Sequence, residues 1–344
     1  MSRLKRLQAQ LDAPLLVSSL VNVRYLTGLA SSNAALLAEP GGTRLFTDFR
    51  YVERAREVPG VELVVTRRDI YAELAELLGG TVQFEPAALT YARYATLADG
   101  GLDLVPRAGL VEAMRAIKDE SELDAIRRAA AVANAAFERF VEGPFVGTPE
   151  RELAWRLESL MREHGGEDVS FPVIVASGAT GGSAHAVPGD RLVEVGETIV
   201  VDFGCRVDGY CSDCTRTLVT GELPDDLRQA YDAVEQAQLV GLTAVRVGAD
   251  SGEVDAAARD VMEAEGLGAA FGHGLGHGLG LEVHEQPWLN QEWPSTLQVG
   301  NVCTVEPGAY LPGRGGVRIE DLVIVTEDGS EVLTPFTKEP VTVG

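Results

Sequence analysis

Four acidic residues interrupt apolar stretches in the second half of the chain. Asp202 lies in Val200-Val201-Asp202-Phe203, and Asp213 in Ser212-Asp213-Cys214-Thr215-Arg216. Between them is Asp208-Gly209, a strong signal for a two-residue hairpin turn. Such a turn pairs Val207 with Tyr210, and therefore Asp202 with Thr215. Asp213 is two residues from Thr215, so it shares a face with Asp202. Diagonal neighbours of this kind have Cα atoms ~7–8 Å apart. Two carboxylates inside an apolar strand pair repel and are costly to desolvate, and a cation between them removes both penalties. The alternative is a pair of solvent-facing strands, against which the Val-Val-Asp-Phe context argues.

Glu306 and Glu320 repeat the pattern. Glu306 follows Val302-Cys303-Thr304-Val305, and Glu320 follows Gly316-Val317-Arg318-Ile319. A three-residue loop at Pro312-Gly313-Arg314 places the two glutamates opposite each other, unless Pro307-Gly308 shifts the register. Of the five histidines, His273, His277 and His284 fall close together, and His185 precedes them. His164 reads as a surface residue at a helix end. The run Gly272 to Gly280 is too rich in glycine for a stable helix. His273 and His277 are therefore not a helical ligand pair of the H-E-x-x-H type. Glycines there let the backbone approach a ligand closely. Cys211-x-x-Cys214 has no second pair, and its side chains point to opposite faces of a strand, so it is a poor zinc or redox motif. The glycine run also lacks the strand-then-helix context of a dinucleotide fingerprint.

The elements that must position these residues form an α+β domain. Leu123, Ile126, Ala130, Ala133, Phe137 and Phe140 recur at helical spacing on one face. Ser121, with Asp124 three residues on, is the expected cap of that helix. A second helix starts at Thr148-Pro149-Glu150 and should stop near Gly165-Gly166. Two more fit 226–245 and 252–265. Strands are expected over 171–177, 198–205, 210–220, 301–306 and 317–326, with tight turns favouring antiparallel pairing. The first ~110 residues read as a smaller α/β domain, the usual scale of one domain. It has short β-rich runs at 13–25 and 35–46, and helices at 50–58 and 70–78. It contains no histidine. The charged stretch 110–120 is the expected link, which divides the chain into 1–113 and 114–344.

Composition narrows the function classes. The net charge of -23, from 52 acidic and 29 basic residues, argues against nucleic acid as a partner. No apolar run approaches the ~18–20 residues of a membrane span, and no apolar h-region follows the basic start. Four cysteines in a chain this long do not make a disulfide scaffold, so a cytoplasmic setting is expected.

The ordered set Asp202, Asp213, His277, Glu306 and Glu320 resembles the pita-bread metallopeptidases, which include methionine aminopeptidase, aminopeptidase P and prolidase. The similarity is carried by Val201-Asp202-Phe203-Gly204, Ser212 to Arg216, His277 to Glu285, Thr304 to Gly308 and Gly316 to Asp321, with Ser183-Ala184-His185. It spans roughly residues 115–335. Leu45 to Tyr51 and Ala116 to Glu122 resemble the proline-peptidase branch and its creatinase-like N-terminal domain. The resemblance implies two divalent cations, Mn²⁺ ahead of Co²⁺ or Zn²⁺, as four carboxylates and one imidazole suit. Asp202 would bind one cation, His277 with Glu306 the other, and Asp213 and Glu320 both. Glu306 would also shuttle a proton. His185 and His284 would act on substrate and tetrahedral intermediate, His273 would line the proline pocket, and Arg318 would steady the ligand shell. The implied substrate is a peptide with proline at the second position, and the implied assembly is a homodimer.

Within that family the expected activity is that of an Xaa-Pro aminopeptidase of the aminopeptidase P type. Some prolidases carry an arginine after H-E-x-P that holds the dipeptide carboxylate. Here that place is Trp288. Arg44 or Arg50 could restore dipeptide selection, which keeps an Xaa-Pro dipeptidase as the alternative. A metal-free pita-bread binding module is the remote one, because such relatives have lost ligand residues and this chain keeps all five.

Overall fold

The computed structural model describes all 344 residues. They divide into two compact units, Met1–Arg115 and Ala116–Gly344.

The first unit is built on a six-stranded sheet. Its order is Glu62–Thr66, Gly42–Asp48, Ala34–Glu39, Leu15–Val17, Thr81–Phe84, Asp103–Pro106. Leu16, Leu37, Phe46, Leu74 and Leu97 form its core. Two segments depart from the sequence expectation. The run 13–25 holds only the three-residue strand Leu15–Val17 and then a helix, Leu20–Thr27. Ser19 caps that helix by accepting from the Asn22 N–H, and Gly28 ends it in the left-handed region at φ 77°. The helix expected over 50–58 forms only over Val52–Ala55, where no side chain caps its start. Arg44 pairs with Glu39 at 3.3 Å, and Arg50 with the buried Asp48 at 2.7 Å.

In the second unit the helix Glu120–Phe140 buries the six apolar residues expected on one face. Its cap is Asp119, not Ser121. The Asp119 carboxylate accepts from the Glu122 N–H while the Glu122 carboxylate accepts from the Asp119 N–H, closing a capping box. The Ser121 hydroxyl instead donates to Asp119. The expected linker contains a short helix, Leu110–Ala116. The second helix, Glu150–Glu163, begins after Pro149 rather than at a side-chain cap. No helix is long and apolar enough to cross a membrane.

Two sheets carry the acidic residues, and each is backed by a pair of helices. A four-stranded sheet runs Val341–Thr342, Cys214–Val219, Thr198–Phe203, Ile174–Ser177. The helices Glu120–Phe140 and Glu150–Glu163 pack on it through Phe137, Phe140 and Leu157 against Val175, Val201 and Phe203. A five-stranded sheet runs Glu285–Leu289, Gly276–Gly278, Val302–Val305, Asp321–Thr326, Gly329–Val332. Asp225–Ala244 and Ser251–Ala264 cover it through Val234, Ala237 and Ala258 against Val305 and Val323. A two-stranded ribbon, Gly308–Leu311 with Gly315–Arg318, continues from the second sheet.

The strand Gly276–Gly278 is short and closely flanked. A Cβ on Gly276 would sit 2.0 Å from the Thr304 carbonyl oxygen, and one on Gly278 would sit 2.3 Å from that of Gln286. Neither neighbour is a flexible side chain tip, so the glycines are required by close backbone approach. Gly276→Ala is expected to cost about 1–3 kcal/mol through overpacking. In thermal unfolding this reads as about 2–4 °C lost per kcal/mol for a unit of this size. An unchanged midpoint would show that the strand has slack.

Candidate metal centre

The hairpin at Asp208-Gly209 pairs Val207 with Tyr210, and the adjoining ladder pairs Asp202 with Thr215. The ladder is broken at Gly204, where a Cβ would meet the Ser212 carbonyl at 1.9 Å, yet the register continues across the break. Asp202 and Asp213 therefore turn into the same cavity. The second acidic pair has a comparable basis. Leu311 faces Gly315 around a three-residue loop, Gly308 faces Arg318, and beyond the ribbon Val305 faces Asp321. One register runs through both ladders and sets Glu306 across from Glu320 in the gap between them. Pro307-Gly308 does not shift it. In that gap the Glu306 N–H bonds the Leu275 carbonyl and the Glu320 N–H bonds the Thr215 carbonyl.

All the residues singled out from the sequence in this unit line one cavity of about 500 Å³: Asp202, Asp213, His277, Glu306, Glu320, His185, His273, His284 and Arg318. One ligand atom each from Asp213, His277 and Glu320 lies within 4.8 Å of the others. The Nε2 of His277 lies 3.2 Å from Glu306 and 3.7 Å from Asp213. Its Nδ1 lies 3.1 Å from the Gly278 carbonyl. That contact fixes a proton on Nδ1; Nε2, which without a cation is protonated and bonded to Glu306, is the nitrogen that would turn to a metal. His284 meets the His277 ring edge-on, with centroids 4.3 Å apart.

The charge in this cavity is poorly compensated by protein alone. Burial, and then the Glu320 charge, push the Asp213 carboxyl well up. Burial and the Glu306 charge do the same to Glu320. Burial raises Asp202 although the Arg318 guanidinium opposes it. Burial also acts to raise Glu306, but its hydrogen bond to His277 and the imidazole's charge outweigh that and hold it at about 2. One oxygen of Asp202 is buried with no hydrogen-bond partner. An orphaned carboxylate oxygen beside three further carboxylates and an imidazole nitrogen is a donor set suited to divalent cations.

Three residues that sequence reasoning passed over fix the geometry. Arg318 donates to the Thr215 hydroxyl at 2.9 Å, to the Tyr310 hydroxyl at 2.8 Å and to Asp202 at 2.7 Å. Thr215 in turn donates to Glu320 at 2.9 Å. Thr304 accepts from the His277 N–H and donates to Glu306, both at 3.1 Å. Tyr310 lies 3.0 Å from Nε2 of His273, whose Nδ1 lies 2.8 Å from the Gly274 carbonyl. With Arg318 donating to Tyr310, the Tyr310 proton points to His273, which is therefore neutral, and burial lowers its pKa. Strand parity held the signal for two of them. Thr215 is opposite Asp202, and Tyr310 is a diagonal neighbour of Arg318. Beyond the polar residues, Phe171, Val173, Ile174, Val187, Trp288 and Trp293 make an apolar wall.

Comparison with known proteins agrees with this arrangement. The model of metallopeptidase family M24 matches residues 124–327, and that of the creatinase/prolidase N-terminal domain matches 3–117. An uncharacterized Bacillus subtilis peptidase, YqhT, is 38% identical over 347 residues, covering 98% of each chain. The structure of an Xaa-Pro dipeptidase from Bacillus anthracis superposes with a TM-score of 0.95 at 37% identity, covering 99% of both chains. An X-Pro aminopeptidase from Thermotoga maritima superposes with a TM-score of 0.88 at 32% identity, over 98% of this chain and 100% of that one. Matched in both units, the chain belongs to metallopeptidase family M24 and is a metal-dependent peptidase of its Xaa-Pro branch, with a creatinase/prolidase N-terminal domain.

Proposed function

We propose that the protein is a dinuclear-metal Xaa-Pro aminopeptidase of the aminopeptidase P type. Asp202, Asp213, His277, Glu306 and Glu320 would hold the cations. Four carboxylates with one imidazole favour Mn²⁺ over Co²⁺ or Zn²⁺. When bound, a metal pair polarises the scissile carbonyl and lowers the pKa of water. The chain's own residues do the rest. Glu306 accepts the proton of the attacking water and returns it to the leaving nitrogen. His185 and His284 hydrogen-bond the substrate carbonyl as it becomes tetrahedral. His273, kept neutral, borders the proline ring. Arg318 holds Asp202 from the protein side. A proline amide has no N–H, so a site that acts on the carbonyl suits it.

The preference for peptides longer than two residues rests on one observation. Arg318 is the only lysine or arginine lining the cavity, and its donors are engaged by Asp202, Thr215 and Tyr310. No free guanidinium lines the cavity to meet a dipeptide's carboxylate, and Trp288 lines the wall instead. Arg44 and Arg50 are paired within their own unit. An Xaa-Pro dipeptidase is the second reading, favoured by the likeness to the Bacillus anthracis enzyme of that name. The homodimer and cytoplasmic setting belong to this reading too, and sedimentation velocity tests the first.

A matched series of Xaa-Pro and Xaa-Pro-Yaa-Zaa should give the higher kcat/KM on the longer peptides. Strict dipeptide preference would assign the prolidase reading. Trp288→Arg should shift the ratio toward dipeptides by about tenfold or more, the value of one charge-assisted hydrogen bond. Metal binding should also set the pH dependence of stability. The carboxyls of Asp202, Asp213 and Glu320 are raised in the folded chain. Their contribution without cations is thus complete below the ordinary carboxylate range and is lost as pH rises through the folded values. Chelator-treated protein should lose thermal stability from acid toward neutral pH. Saturating Mn²⁺ should restore it by about 3 kcal/mol at a hundredfold excess over Kd, with a larger gain at pH 8 than at pH 5. A pH-independent gain would argue against ligation by these carboxylates.

A further inference from the structure

Glu150 opens the helix Glu150–Glu163, and its side chain is fully buried. One carboxylate oxygen accepts from the Ser177 N–H at 2.7 Å, from the Ser177 hydroxyl at 2.8 Å and from the Thr180 hydroxyl. The other accepts from the Gly189 N–H at 3.3 Å. Ser177 and Thr180 precede His185 in the chain, and Gly189 follows it. A single carboxylate therefore grips both ends of the segment that carries this histidine. Arg191 braces the first end, donating to the Ser177 hydroxyl at 2.7 Å and pairing with Glu197. Between the ends, Arg318 donates to the Ala184 carbonyl at 3.2 Å.

His185 itself is exposed at the cavity, so the backbone that carries it decides where its imidazole stands. The segment 183–188 belongs to no helix or strand, and its position depends on its anchors. A buried carboxylate surrounded by four donors is a strong anchor, since charge-assisted bonds are shorter and roughly twice as strong as neutral ones. An amide in its place cannot accept from all four, because its NH₂ group faces at least one donor.

We infer that Glu150 is a positioning residue for the reaction: its buried carboxylate places His185 by holding both ends of the segment that bears it. This rests on the proposed role of His185 toward the substrate carbonyl. The experiment is a double-mutant cycle of Glu150→Gln and His185→Ala in the full-length, Mn²⁺-loaded enzyme, with Thr180→Val as a milder second probe. Steady-state kinetics on one Xaa-Pro-Yaa-Zaa peptide, bound Mn²⁺ and thermal midpoint are read for each variant. Glu150→Gln is expected to lower kcat by about ten- to a hundredfold, the cost of misplacing a catalytic group. KM and Mn²⁺ content should stay near the parent's, and Thr180→Val should give a smaller loss of kcat. In the His185→Ala background Glu150→Gln should lower kcat no further. An equal loss in both backgrounds, or no loss in the parent, overturns the positioning role and leaves the function of His185 intact. His185→Ala with parental kcat overturns the role of His185, and the positioning role with it.

Discussion

Four carboxylates, Asp202, Asp213, Glu306 and Glu320, turn into one buried cavity that a single guanidinium serves from the protein side. Charge held this closely away from water is destabilising unless it is matched. Much of the surrounding structure answers that constraint. Arg318 neutralises Asp202 and, through the Thr215 hydroxyl, reaches Glu320. Thr304 orients Glu306 while accepting from the backbone of His277. What the protein leaves unmatched has the character of a cation site: an orphaned oxygen of Asp202, and the crowded charge of Asp213 and Glu320.

The same constraint accounts for the architecture. No single element supplies the set. Two sheets, each with its own helical backing and its own core, bring one acidic pair apiece to a shared cavity. The chain also breaks its ladders beside the acidic residues. It does so at Gly204, between Asp202 and Asp213, and at Glu306 and Glu320. An unbroken strand would alternate its side chains strictly between faces. The interruption at Glu320 frees its N–H to tie one sheet to the other through the Thr215 carbonyl, while the register on either side is kept.

Features governed by parity or short-range turn chemistry were legible in the sequence. Asp208-Gly209 specifies a turn, the turn specifies a register, and the register places Asp202 with Asp213. The three-residue loop at Pro312 to Arg314 does the same for Glu306 and Glu320. The face of the helix Glu120–Phe140 followed from its spacing. Choices between near-equivalent local partners were harder to read. Asp119 and Ser121 can both cap that helix, and the reciprocal bond with Glu122 decides for Asp119. The segment 13–25 is apolar enough for a strand, and Ser19 with Gly28 turns most of it into a helix. Thr304 touches the site only through tertiary placement, because its hydroxyl joins His277 to Glu306 across neighbouring strands.

The gap between the ladders has a dynamic consequence. The amide of Glu306 is bonded to the Leu275 carbonyl, next to the strand that carries His277, and the amide of Glu320 to the Thr215 carbonyl in the opposite sheet. Each acidic residue is thus sewn by its own backbone to a strand that serves another member of the cluster. Fraying of one hairpin cannot release either amide. Exchange of the Glu320 amide requires the two sheets to part, and exchange of the Glu306 amide requires its strand to leave the one that carries His277, which puts this cavity among the last regions of the unit to open and not among the first.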